Sequence, residues 1–122
     1  MKMSWNAGRK TDEINFMKVL VCDDEPLARE RLKRMLDKIP GAECIGEAEN
    51  GVDLLQKVPH LNPEIIISDI RMPGMDGIEA AEHLARLHEP PALIFCTAYD
   101  DYAIRAFQVN AMGYLLKPVK QQ

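Results

Sequence analysis

Apolar residues along this chain fall in short dense runs that alternate with longer stretches at helical spacing. The first run, Met17-Lys18-Val19-Leu20-Val21-Cys22, predicts a strand closed by Asp23-Asp24-Glu25-Pro26. Pro26 suits the first turn of a helix, and acidic residues before it complement the helix dipole. Ala28, Leu32, Met35, Leu36 and Ile39 then recur at helical spacing until Pro40-Gly41 stops the helix. Residues 42–48 form a weaker strand at or near a sheet edge, flanked by Glu43, Glu47 and Glu49. Asn50-Gly51 leads into a helix through Val52, Leu55 and Val58, bracketed by Pro59 and Pro63. Ile65-Ile66-Ile67 is β-branched and reads as a strand buried on both faces, ending in Ser68-Asp69. Pro73-Gly74 and Asp76-Gly77 turn the chain into a helix from about Gly77 to His88, with a stripe of Ile78, Ala81, Leu84 and Ala85. Glu89-Pro90-Pro91 breaks it before Ala92-Leu93-Ile94-Phe95-Cys96, a buried strand ending in Thr97-Ala98. A helix with Ala103, Ala106 and Phe107 precedes the last strand, Gly113-Tyr114-Leu115-Leu116, which Lys117-Pro118 caps.

Strands alternating with helices in this way are βαβ units with right-handed crossovers, which build a parallel sheet covered on both faces. The pattern has five strands and four helices, and no helix follows the fifth strand. Residues 1–16 lack periodicity and are expected to be a flexible extension, leaving 17–122 as one domain. A length of 122 residues has room for no more.

Charge and cysteine content narrow the function. A net charge of −4 and the lack of a basic stripe argue against nucleic acid as a direct partner. The most basic stretch, Arg29 to Lys38, is interleaved with Glu30 and Asp37 and reads as a solvated helix face. No apolar run approaches the ~20 residues that span a bilayer, and the N-terminus has no signal-peptide core. Cys22, Cys44 and Cys96 sit in apolar runs without ligand spacing, as reduced core thiols do. A soluble cytoplasmic protein without membrane contact is expected.

The chemistry is concentrated at strand ends. Asp23, Asp24 and Glu25 follow the first strand, Asp69 the third, Thr97 the fourth and Lys117 the fifth. A doubly wound sheet brings such residues to one rim. Any one of them has an ordinary explanation: a helix cap for Asp23 or Thr97, a surface lysine for Lys117, a solvated carboxylate for Asp69. Together they form a set. Clustered carboxylates need a compensating cation, and Mg²⁺ favours one or two carboxylates with water and phosphate oxygens. A carboxylate can attack phosphorus to form an aspartyl phosphate, a reaction that needs mainly positioning and charge neutralisation.

Val21-Cys22-Asp23-Asp24-Glu25-Pro26, Asp69-Ile70-Arg71-Met72-Pro73 with Gly77, Thr97-Ala98 and Tyr114-Leu115-Leu116-Lys117-Pro118 occur in that order. On these motifs, residues 17–119 resemble a response-regulator receiver domain of two-component signalling. Residues 106–111, Ala-Phe-Gln-Val-Asn-Ala, resemble the LytTR-type branch, whose members regulate transcription. The resemblance implies a flavodoxin-like (CheY-like) doubly wound parallel sheet of order 2-1-3-4-5. It implies that Asp69 accepts a phosphoryl group from a sensor histidine kinase, with Thr97 and Lys117 contacting that group. Mg²⁺ would be held by Asp24, Asp69 and the backbone carbonyl of Arg71, with Asp23 acting largely through water. Thr97 and Tyr114 would be the switch that alters the face of the fourth helix and fifth strand, and the Lys117-Pro118 bond would be cis. Arg71 and Tyr99 would flank the site at positions expected to gate water. A signalling domain rather than an enzyme is implied, with at most self-phosphorylation and self-dephosphorylation at Asp69.

Relative to that family, the final helix and the DNA-binding domain are missing, so the chain is expected to be a truncated fragment. DNA contact would need the absent domain. Apolar surface beside the first and fifth strands would be open, and self-association or cover from the N-terminal extension is expected. The rival reading is a degenerate receiver that works as a phosphorylation-independent dimerisation or interaction module. An aspartyl-nucleophile phosphatase would have a second carboxylate where Arg71 stands. A flavin site would not place Asp23-Asp24-Glu25 against phosphate, and no Gly-rich Lys-Ser/Thr loop for a nucleotide is present.

Overall fold

Each apolar run becomes a strand and each stretch of helical period a helix in the computed structural model, which describes residues 16–117. The elements are β1 (Met17–Cys22), α1 (Pro26–Asp37), β2 (Ala42–Ala48), α2 (Gly51–Leu61), β3 (Ile65–Ser68), α3 (Gly77–Leu84), β4 (Ala92–Thr97), α4 (Ala103–Gln108) and β5 (Gly113–Leu116). The N-terminal extension, apart from Phe16, and the Lys117-Pro118 bond lie outside the described residues.

All four strand pairings are parallel, and the order is β2-β1-β3-β4-β5. That is the expected order, with β2 at an edge. Its placement follows from composition: β1, β3 and β4, each dense in apolar residues, take the interior positions that parallel sheets bury. The registers Val19↔Ile65, Ile65↔Ala92 and Ile67↔Ile94 put alternate residues on opposite faces. On one face Leu20, Ile66, Leu93 and Phe95 pack with Leu54 and Val58 of α2, Ile78 and Leu84 of α3, and Ala106 of α4. On the other, Val19, Val21 and Cys96 pack with Leu32 and Leu36 of α1. Among the described residues α1 is the only helix in that second cluster. Ile65 and Ile67 there are only half-buried, and Leu115, aligned with Cys96, is 46% exposed. Of the open apolar surface expected beside the first and fifth strands, the part at β5 is therefore present within the described part. The part on β1 does not occur: Val19 and Val21 are 2% and 0% exposed because Leu32 and Leu36 of α1 pack against them.

Four helical faces differ from the periodicity reading. In α2 the Asn50 side chain accepts from the Asp53 N–H at 2.8 Å, which starts the helix at Gly51 and fixes its phase. Leu54 and Val58 then face the core, while Val52 turns outward and Leu55 sits at the margin. Pro59 lies inside the helix rather than beyond it, and Asn62 in the left-handed region ends it. In α3 a capping box between Asp76 and Glu79 sets the start. The Arg86 and Leu87 N–H groups then bond three residues back, tightening the last turn, so α3 ends at Leu84 and Ala85 is exposed. Ala80 takes its place in the buried stripe. In α1, Ile39 falls past the helix end and is exposed. In α4 only Ala106 is buried, and Phe107 is 82% exposed.

Candidate functional site

The register of β1 against β3 pairs Cys22 with Ser68, so the next residues, Asp23 and Asp69, leave the sheet side by side. The Asp69 N–H donates to the Cys22 carbonyl at 2.9 Å, extending the ladder by one residue. Thr97 ends β4 next to β3, and the Lys117 N–H donates to the Thr97 carbonyl at 2.8 Å. The sheet thus delivers the sequence-predicted residues to one rim.

Carboxylate oxygens of Asp23, Asp24 and Asp69 lie within 4.8 Å of one another. Asp23, Asp69 and Thr97 are buried, and Asp24 is exposed. The Lys117 ammonium donates to Asp23 Oδ2 at 2.7 Å and to Asp69 Oδ2 at 3.0 Å. The remaining oxygens take main-chain donors: Glu25 N–H to Asp23 Oδ1 at 2.9 Å, and Ile70 N–H to Asp69 Oδ1 at 2.7 Å. Burial pushes the Asp23 carboxyl above its ordinary value, against the downward pull of Lys117 and the Glu25 N–H. Burial opposes the Lys117 ammonium as well, but its two carboxylate partners outweigh that and hold its pKa above the usual lysine value.

Among the described residues, three carboxylates gather around the Lys117 ammonium and leave the rim with excess negative charge. The donors are oxygens, the pocket is open on the Asp24 side, and a hard divalent cation fits that set. The neighbouring thiols do not compete for it. Burial pushes Cys22 up to about 12 and Cys96 up to about 11, so both remain neutral, and all three cysteines are free.

The main chain that carries Asp69 is clamped from below. Ser68 Oγ donates to the Asp69 carbonyl at 2.7 Å, and the Gly77 N–H donates to the Ile70 carbonyl at 2.7 Å. A Cβ on Gly77 would lie 2.2 Å from the Asp69 carbonyl oxygen. Periodicity shows Gly77 only as the start of a helix, and the close approach of α3 to β3 gives no local sequence signal.

On the outer side, the Tyr114 hydroxyl donates to the Tyr99 backbone carbonyl. The Tyr99 N–H donates to Thr97 Oγ1 at 3.4 Å, and the Arg71 guanidinium lies 4.4 Å from the Tyr99 ring centroid. Tyr99 therefore links the residues singled out as a switch to the segment after Asp69. Arg29 lies in a stretch whose charge pattern reads as a solvated helix face, yet it donates from Nη1 to the Asp23 carbonyl at 2.7 Å. No spacing rule in the sequence marks it.

Residues 19–122 match the family model described as the response regulator receiver domain. The chain is 50% identical over 107 residues to the positive alginate biosynthesis regulatory protein of Pseudomonas aeruginosa, covering 87% of this chain and 43% of that one. It is 43% identical over 107 residues to the sensory transduction protein LytT of Bacillus cereus, covering 88% and 44%. The chain thus spans less than half the length of these curated relatives. Among solved structures, the response regulatory domain of protein mrkE from Klebsiella pneumoniae is similar at 32% identity and a TM-score of 0.80, with 85% of both chains covered. The response regulator domain of Thermotoga maritima CheB is similar at 30% identity and a TM-score of 0.79, covering 84% of this chain and 79% of that one.

Proposed function

The chain belongs to the response regulator receiver domain family, the receivers of two-component signalling, and on that premise we propose that Asp69 is the residue phosphorylated, by a sensor histidine kinase. The observation that carries this reading is the shared Lys117 ammonium between Asp23 and Asp69 at 2.7 and 3.0 Å, inside a three-carboxylate cluster. An Asp69 carboxylate oxygen attacks the phosphorus of a phosphohistidine; the P–N bond breaks, and its electron pair stays on the imidazole. Lys117, already at Asp69, neutralises charge on the transferring group, and the Thr97 hydroxyl donates to it. Asp24 and Asp69, with the Arg71 carbonyl and with Asp23 through water, would hold Mg²⁺, which when bound supplies the remaining charge neutralisation.

The same contacts support a switch built on Thr97 and Tyr114. Movement of Thr97 toward a phosphoryl group would pull on Tyr99, whose N–H it accepts and whose carbonyl holds Tyr114. Tyr114 packs against the core beside α4. The surface that would respond carries Ile104, Phe107 and Met112, which are 76%, 82% and 62% exposed. Self-association through this face, and transcriptional output through a DNA-binding domain beyond this chain, complete the reading. The transcriptional regulatory protein LytR of Staphylococcus aureus, 44% identical over 106 residues with 43% of its length covered, supports the transcriptional part. No helix among the described residues is long and apolar enough to cross a membrane, in keeping with a cytoplasmic setting.

Intact mass after incubation with an acyl phosphate tests the assignment. One added phosphoryl group is expected, dependent on Mg²⁺ and absent in Asp69→Asn. A folded wild type that gains no mass would overturn the reading in favour of a phosphorylation-independent module.

We infer that the Arg71–Tyr99 stack, 4.4 Å from guanidinium to ring centroid, screens the approach to Asp69 from water. A cation–π contact of this kind is worth about 0.5–1 kcal/mol. Tyr99→Ala is therefore expected to shorten the half-life of the aspartyl phosphate about 2- to 5-fold by admitting water. Decay of the phosphorylated mass with time checks this, and an unchanged half-life would remove the stack from the mechanism.

A further inference from the structure

Arg29 stands one turn into α1 and reaches back to the end of β1. Its Nη1 donates to the Asp23 carbonyl at 2.7 Å, and its Nε donates to Glu47 Oε1 at 2.9 Å. Glu47 is held in turn. Its Oε2 accepts from Lys33 Nζ at 2.7 Å, and its backbone carbonyl accepts from Lys57 Nζ at 2.6 Å. Lys33 is steadied by Glu30 at 2.9 Å. The Arg29 side chain is 18% exposed and that of Glu47 is 35% exposed, and it is the two-point hold on Arg29 that distinguishes the pair from a loose surface contact. Lys33 and Arg29 hold the Glu47 carboxyl below its ordinary value, so it stays ionised across the neutral range.

The carbonyl that Arg29 grips belongs to the peptide unit joining Asp23 to Asp24. The last bond from the sheet to this segment is the Asp23 N–H on the Ala48 carbonyl at 3.0 Å. Beyond it, rotation of the 23–24 peptide would carry Asp24 away from Asp23 and Asp69. A planar guanidinium anchored at a second point opposes that rotation, which a single-point ammonium does poorly.

We propose that Arg29, anchored by Glu47, is a positioning residue for the divalent-cation cradle of Asp23, Asp24 and Asp69. It holds the 23–24 peptide in the orientation that brings all three carboxylates together. The inference rests on reading the cluster as an Mg²⁺ site and does not depend on phosphoryl transfer.

The test is titration of the full chain with MgCl₂, following the amide resonances of Asp23, Asp24 and Asp69 by NMR. Loss of such supporting contacts weakens metal affinity about 10-fold or more, so Arg29→Ala is expected to raise the Mg²⁺ Kd about 10-fold. Glu47→Ala should behave alike, whereas Glu47→Gln keeps an acceptor for Nε and should stay within about 2-fold of wild type. The sign separates positioning from charge alone. Deleting a cation beside the cluster would tighten Mg²⁺ binding by Coulomb's law. Unchanged or tighter binding in Arg29→Ala, with wild type saturating normally, overturns the inference alone. Should the alanine variant not fold, Arg29→Lys carries the test, because it keeps the charge and stem but loses the fork. A wild type with no saturable Mg²⁺ response at these amides removes the metal reading, and this inference with it.

Discussion

Replacing Gly77 with alanine is expected to destabilise the domain by about 3 kcal/mol, lowering the melting temperature by roughly 15 °C. The added Cβ would meet main chain: the Asp69 carbonyl oxygen at 2.2 Å, the Ile70 Cα at 3.0 Å and the Asp69 carbonyl carbon at 3.2 Å. No side chain can rotate aside, and the Gly77 N–H to Ile70 carbonyl bond of 2.7 Å ties the same two segments together. Relief requires α3 to move off β3, which moves Asp69 within its cluster. The higher helix propensity of alanine offsets less than about 1 kcal/mol of this. Gly74 provides the contrast, because its φ is +75° but a Cβ there meets nothing within 4 Å. Gly74→Ala should cost only the left-handed backbone penalty of about 1 kcal/mol. Thermal unfolding followed by circular dichroism compares the two. Equal losses would show that the close approach at Gly77 does not carry the cost.

Lys117→Met should cost about 2–3 kcal/mol at neutral pH without divalent cations, because it leaves two buried carboxylates without their ammonium. Asp23 and Asp69 side chains are 1% and 11% exposed, so water replaces little of the loss. The pH dependence has a definite sign. The folded pKa of Lys117 lies above the ordinary 10.5, so while its carboxylate partners are ionised its contribution is complete below that value and is lost as pH rises through the folded one. Asp23 is also raised, by burial first, so the fold prefers its protonated form. Stability from Asp23 is present below the ordinary 3.8 and declines as pH rises through its folded value. Without Lys117 that decline steepens. The gap between variant and wild type should be small in acid, open above about pH 4, and narrow again when Mg²⁺ is added. Urea unfolding at several pH values, with and without MgCl₂, measures this. A gap indifferent to both would mean that Lys117 contributes packing rather than charge.

Strands were legible because their signal is local. A run such as Ile65-Ile66-Ile67 cannot lie on a surface, and β1 and β3 indeed take interior positions in the sheet. Helical phase was less legible. Ala85 and Phe107 fit an apolar stripe by spacing but are exposed, while Leu54 and Ala80 fall outside the stripes and are buried. In short helices a cap sets the rotation, and a shift of one residue turns the face by about 100°. The Asp76–Glu79 capping box and the Asn50 cap decided which residues faced the sheet.

What the residues determined by themselves is the order of strands and helices and the chemistry at each strand end. Dense β-branched runs, prolines and glycines act on their immediate neighbours. Asp23, Asp24, Asp69, Thr97 and Lys117 could be picked out before any of them was placed in space. Only the tertiary structure decided how they meet: the parallel register that sets Asp23 beside Asp69, the single ammonium they share, and the Tyr99 bridge between Thr97 and Tyr114. It alone revealed that Gly77 leaves room for the Asp69 main chain and that Arg29 grips the Asp23 carbonyl. Those contacts join residues from different elements, and their energies depend on distances that no pattern along one segment encodes.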